Sequence, residues 1–142
     1  DYFGLGCRNV SKLVVPEGYD FREFFEAIEI FKKVGDHHKF NNNYDYNKSI
    51  LLVNLEPHLD NGFLLLKKDE RLSSPLAVLN YEEYSDQETL MNRIAQQSDQ
   101  IQCVVAKKFD GIPAVGFGDS QKPRIWDYAD SVNTMDFLTS LS

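Results

Sequence analysis

The chain has 142 residues, 42% hydrophobic and 13% aromatic, which is enough apolar material for one core and is a common size for a single domain. Fifteen basic against 22 acidic residues leave a net charge of -7, and the lysines fall in short groups such as Lys32-Lys33, Lys67-Lys68 and Lys107-Lys108, so a nucleic-acid partner is excluded. No apolar run approaches the ~20 residues of a bilayer-crossing helix, no secretion signal is evident, and two cysteines are too few for a disulfide scaffold; the expected setting is the reducing cytoplasm.

In chain order, Gly4 and Gly6 open a permissive turn over residues 3–8. The β-branched and apolar residues that follow predict a strand over residues 10–15, closed by Pro16. Asp20, with Glu23 three residues on, predicts a capped helix in which Phe21, Phe24, Phe25, Ile28 and Phe31 recur at helical spacing until Gly35 stops it. Such an aromatic stripe reads as core before it reads as a fatty-chain pocket. Residues 36–43 (DHHKFNNN) predict an exposed connection. Residues 44–56 predict a helix capped by Asp45 and ended by Pro57, although Ile50 to Val53 would also suit a short central strand.

Asp60-Asn61-Gly62 is a turn signal, because Asn and Gly accept positive φ, and two strands are expected after it, over residues 63–66 and 76–79. Ser85 and Glu88 form a capping box for a helix carrying Leu90, Met91, Ile94 and Ala95, after which residues 101–106 (IQCVVA) predict a buried strand. Residues 109–124 predict an ordered loop around a short strand, and residues 125–141 mixed structure. This order of elements predicts an α/β sandwich in a single domain over residues 1–142.

Cys7 follows Gly-Leu-Gly at the exit of a turn, where glycines let a substrate approach the backbone closely. A thiol attacks a thioester only as thiolate, so Arg8 and nearby peptide N–H groups would have to hold the charge. Cys103, inside IQCVVA, reads as buried packing. His37 and His38 point differently on either regular element and have no third ligand in spacing, so they read as loop residues, and His58 reads as a turn residue; no metal site is expected. The segment at residues 116–121 lacks both the GxGxxG and the P-loop patterns.

Residues 4–16 (GLGCRNVSKLVVP), 43–48 (NYDYNK) and 58–63 (HLDNGF), with Ser74-Pro75, residues 117–121 (FGDSQ) and 127–130 (DYAD), together resemble the acyl-CoA reductases of the LuxC type, over essentially the whole chain. That family is similar to the aldehyde dehydrogenases. The resemblance implies the C-terminal catalytic domain, a three-layer α/β/α sandwich that is incomplete here, with the NAD(P)-binding domain absent. It implies Cys7 as acyl-accepting nucleophile, NADPH as reductant, an acyl-CoA or acyl-protein thioester as substrate and a fatty aldehyde as product. Residues 70–75 (ERLSSP) stand where the dehydrogenases carry Glu-x-Phe-Gly-Pro, which makes Glu70 the counterpart of their ribose contact, with the Phe-Gly lost. The isolated chain is expected to be inactive and to leave surfaces exposed or paired in a homo-oligomer. The alternative is a non-catalytic acyl- or CoA-binding or assembly module of the same fold.

Overall fold

The computed structural model describes residues 6, 8–107, 111–129 and 132–141. They divide into two units, one holding Gly6 and the run from Val10 to Ser85, the other holding Arg8, Asn9 and the residues from Asp86 onward.

In the first unit the chain forms β1 (Lys12–Pro16), α1 (Arg22–Ile28), a 3-10 segment (Glu29–Asp36), α2 (His38–Val53), β2 (His58–Asp60), β3 (Leu65–Lys68) and β4 (Val78–Tyr84). The four strands form one mixed sheet in the order β1-β4-β3-β2. β4 lies parallel to β1 on one side and to β3 on the other, and β2 closes the sheet antiparallel to β3. Adjacent residues of a strand face opposite sides of the sheet, and here both sides are covered. Leu65 packs with Phe40, Tyr44, Leu51, Phe63 and Val78, whereas Leu66 packs with Val15, Phe21 and Leu79. Both leucines have no accessible surface. This is the mixed helix-and-strand architecture that the order of elements predicts.

Two helices differ from the sequence expectation. The polar stretch from residue 38 is helical rather than a connection, because Phe40, Tyr44 and Leu51 lie on one face of α2 and are buried together. Burying that stripe outweighs the weak helix propensity of the three asparagines, two of which bond within the helix: Asn41 donates to Asp45 at 3.0 Å and Asn43 to the carbonyl of Lys39 at 2.7 Å. Asp45 is therefore an interior residue and not a cap. The aromatic helix, in turn, stops at Ile28 and tightens into the 3-10 segment. Phe21 is buried edge-on to Tyr81 at 4.7 Å, while Phe31, beyond the change of period, is 62% exposed. Asp20 does accept the N–H of Arg22 at 3.0 Å, from one position before the cap.

α2 ends without the usual glycine. Leu55 takes φ +55°, and the N–H of Glu56 donates to the carbonyl of Leu51 at 2.9 Å while that of Leu55 donates to Leu52 at 3.1 Å, the paired bonds of a Schellman ending. The turn at residues 60–62 forms as its residues predict: Gly62 has φ +93°, and the Asn61 side-chain oxygen accepts the N–H groups of Phe63 and Leu64. A short strand, β2, precedes it that the sequence pattern does not reveal.

The second unit holds α3 (Gln87–Gln96), a two-stranded parallel pair β5 (Val104–Val105) and β6 (Ala114–Val115), and α4 (Thr134–Thr139). Asp86, not Ser85, caps α3 by accepting the N–H of Thr89 at 2.7 Å. The strand expected over residues 101–106 shortens to two half-buried residues. No helix among the described residues is long and apolar enough to cross a membrane.

Candidate functional site

Cys7, the expected nucleophile, lies outside the described residues. Glu70 lies inside them, and its surroundings in the first unit are well defined. β4 carries Asn80, which is 1% exposed, and its side-chain amide donates to the carbonyls of Arg71 (3.1 Å) and Ser73 (2.9 Å). Its backbone N–H donates to the carbonyl of Ser11 at 3.2 Å. One buried asparagine therefore fixes both the segment at residues 70–75 and the residues that lead into β1.

Lys12 adds a second anchor. Its ammonium donates to the carbonyl of Glu70 at 2.6 Å and faces the Glu82 carboxylate at 2.5 Å, with both side chains about nine-tenths buried. On the same segment, Arg71 pairs with Asp69 at 2.6 Å, and that guanidinium holds the Asp69 carboxyl well below its ordinary range. The Glu70 backbone is thus fixed while its carboxylate is exposed and has no partner among the described residues. A carboxylate presented in this way can accept a pair of hydroxyl groups.

A polar cluster the sequence did not flag joins α2 to β2. The Tyr44 hydroxyl donates to both oxygens of Asp60, at 2.7 and 2.9 Å, and Lys48 approaches Asp60 at 2.7 Å and the Tyr44 hydroxyl at 3.2 Å. Burial, and then the Asp60 carboxylate, push the Tyr44 hydroxyl above its ordinary value of 10.0. Asp60 raises Lys48 in the same sense. A tyrosine held in its neutral form and donating to a carboxylate is a structural tie between helix and sheet, not an acid poised to release its proton at neutral pH. The signal available in the sequence was the i, i+4 spacing of Tyr44 and Lys48, but nothing in it placed Asp60 opposite them.

In the second unit a cleft of about 710 Å³ is lined by Gln102, Cys103, Val104 and Val115 together with Arg8, Lys122, Arg124 and Trp126. Cys103, expected as buried packing, is half-exposed in its wall, its thiol 3.8 Å from the carbonyl of Val104; β5 is too short to cover it. Gln121 donates to the carbonyl of Arg8 at 3.0 Å, which ties the loop at residues 116–122 to residue 8.

The histidines do not converge. His37 and His38 are exposed at the start of α2, and His58 sits on β2 with Nδ1 2.9 Å from the carbonyl of Glu56. Among the described residues no group of three or more His, Cys, Asp or Glu is placed to hold a metal ion. Comparison with protein-family models, with curated proteins and with solved structures finds no match to this chain.

Proposed function

We propose that the chain is part of a fatty acyl-CoA reductase of the LuxC type, its fold the three-layer α/β/α catalytic domain of the aldehyde-dehydrogenase kind. The observation that carries this reading is the linked order of residues 4–16, 43–48 and 58–63 with the later segments, which no single motif supplies. In this reading Cys7, as thiolate, attacks the thioester carbonyl of an acyl-CoA; the new Cys7–carbon bond forms, the bond to the CoA sulfur breaks, and CoA leaves as its thiolate, which takes a proton from solvent. The backbone N–H of Cys7 is proposed as one donor to the oxyanion. Bound NADPH would supply hydride to the carbonyl carbon. Cys7 then holds the reduced carbon as a thiohemiacetal, loses that bond as the hydroxyl proton leaves, and returns to thiolate while the aldehyde departs.

The residues of the first unit suit such a dinucleotide. The free carboxylate of Glu70, on a backbone anchored by Lys12 and braced by Asn80, matches the hydrogen-bonding needs of a ribose diol. No residue of the first unit besides Glu70 is proposed to bind the cofactor, and the isolated chain is proposed to be inactive in aldehyde formation. Leu52, Val53 and Leu55 stand exposed around the end of α2, and this apolar edge supports the proposal that the chain works in a homo-oligomer or against a further body. The setting proposed is cytoplasmic.

The test is selective alkylation. Brief exposure of the folded chain to iodoacetamide, followed by peptide mapping, should modify Cys7 ahead of Cys103, and prior incubation with a long-chain acyl-CoA should protect Cys7. Equal labelling of the two thiols, or no protection, would overturn the reading. The second reading, a CoA-binding module without catalysis, draws on the cleft of the second unit and requires acyl-CoA binding to survive Cys7→Ser unchanged in the absence of any acyl adduct.

A further inference from the structure

We infer that the cleft of the second unit binds a phosphorylated adenosine, the portion that coenzyme A and NADPH share. The choice of adenosine rests on the reductase reading, whereas the cationic and aromatic lining stands without it. The cleft's volume of about 710 Å³ falls in the range of nucleotide-sized ligands. In a chain of net charge -7 its lining reverses sign, with Arg8, Lys122 and Arg124 against Asp119 and Asp127.

The internal pairing leaves the arginines available. Lys122 pairs with Asp119 at 3.5 Å, and Asp127 accepts the backbone N–H of Arg124 at 2.9 Å. Neither guanidinium has a carboxylate partner among the described residues; that of Arg8 reaches only the carbonyl of Ser120, at 3.5 Å. An arginine fork matches phosphate oxygens in shape and charge, and two free forks on one cleft can hold two phosphates or one phosphate from both sides.

The aromatic side is equally specific. Trp126 stands 62% exposed with the Arg124 guanidinium 5.7 Å from its ring, and Tyr128 lines the same cleft. An exposed indole beside a cation offers a stacking platform for a purine. The backbone around the cations is tied: the Gln121 bond to the Arg8 carbonyl and the turn bonds Asp119 N–H to Gly116 and Lys122 N–H to Asp119 hold Arg8 and the loop with Lys122, and the Asp127 carboxylate accepts the Arg124 N–H.

Trp126 is the single tryptophan of the chain, so its fluorescence reads the cleft directly. Titration of the full chain with adenosine 3′,5′-bisphosphate, adenosine 2′,5′-bisphosphate and adenosine should give saturable quenching by a bisphosphate, at least about tenfold tighter than by adenosine and weakening as salt is raised. Preference for the 3′,5′ isomer assigns the cleft to coenzyme A, and preference for the 2′,5′ isomer assigns it to NADPH. The double variant Arg8→Ala, Arg124→Ala should lose that tenfold advantage; the salt dependence of the unaltered chain gives the same answer if the variant fails to fold. Equal affinity for all three, salt-independent quenching, or no saturable quenching would overturn the inference. Acylation of Cys7 by an acyl N-acetylcysteamine thioester, which carries no nucleotide, separates the two claims. An adduct without quenching sinks the cleft and spares the reductase, and quenching without an adduct does the reverse.

Discussion

Replacing Lys12 by Met removes one buried ammonium and keeps the length of the side chain. In the folded protein that ammonium faces Glu82 at 2.5 Å, both side chains being about 90% buried, and it also donates to the Glu70 carbonyl at 2.6 Å. Breaking a buried pair from one side costs about 3–5 kcal/mol, because the remaining charge keeps its desolvation without its attraction, whereas an exposed pair is worth at most about 1 kcal/mol. The lower end is expected here, about 3 kcal/mol, which for a chain of this size lowers the melting temperature by roughly 10 °C. Urea unfolding followed by circular dichroism measures the loss. The double variant Lys12→Met, Glu82→Leu should recover most of it. Hydrogen exchange supplies a second reading: Lys12→Met should raise the exchange of the Arg71 N–H, which donates to Asp69 on the segment Lys12 anchors. A loss below about 1 kcal/mol, with exchange unchanged, would refute the assignment of Lys12 as the anchor of Glu70.

Other perturbations test the rest of the fold. Tyr44→Phe, which deletes the buried hydroxyl bonded to both Asp60 oxygens, should cost about 1.5–3 kcal/mol by urea unfolding, and a loss within error would mean that water replaces the bond. Leu55→Gly should stabilise by about 0.5–1 kcal/mol, since Leu55 sits at φ +55° with 88% of its surface exposed; destabilisation would show that this leucine packs against something in solution. Stability should also fall in acid. Burial raises the Asp60 carboxyl, but Lys48, the Gly62 N–H and Tyr44 outweigh it and leave it below 3.8, while Arg71 lowers Asp69. Carboxyls depressed by folding stabilise above their unfolded value and lose that contribution as pH falls through the folded one, so the urea midpoint should hold from pH 7 to about 4 and drop below it. Asp60→Asn should flatten that acid limb, and an unchanged limb would remove Asp60 from the account.

Periodicity and turn chemistry reveal β1, the start of α1, the turn at residues 60–62 and α3, and the apolar runs at residues 63–66 and 76–79 place two strands that the fold sets at Leu65–Lys68 and Val78–Tyr84. Where local signal and burial disagree the sequence misleads. The asparagine-rich start of α2 looks like a loop until Phe40 and Tyr44 are seen buried against Leu65 and Val78 from distant strands. Three-residue β2 offers too little pattern to see. Asn80 reads as an ordinary polar residue within a strand; its role comes from the two carbonyls that residues 71 and 73 present to it. The unit-2 cleft draws on residue 8 and residues 102–128, a separation that no local motif spans. Glu70 is singled out only by the family resemblance, and Lys12, which fixes its backbone, carries no signal in the sequence.

The central claim is that Cys7 is an acyl-accepting nucleophile, and the most direct measurement is the intact mass of the folded chain after brief exposure to a long-chain acyl-CoA, with peptide mapping and Cys7→Ser and Cys103→Ser variants alongside. The account predicts one acyl group on Cys7, retained in Cys103→Ser and lost in Cys7→Ser. An unmodified chain, or an acyl group carried by Cys103 in its place, would contradict it.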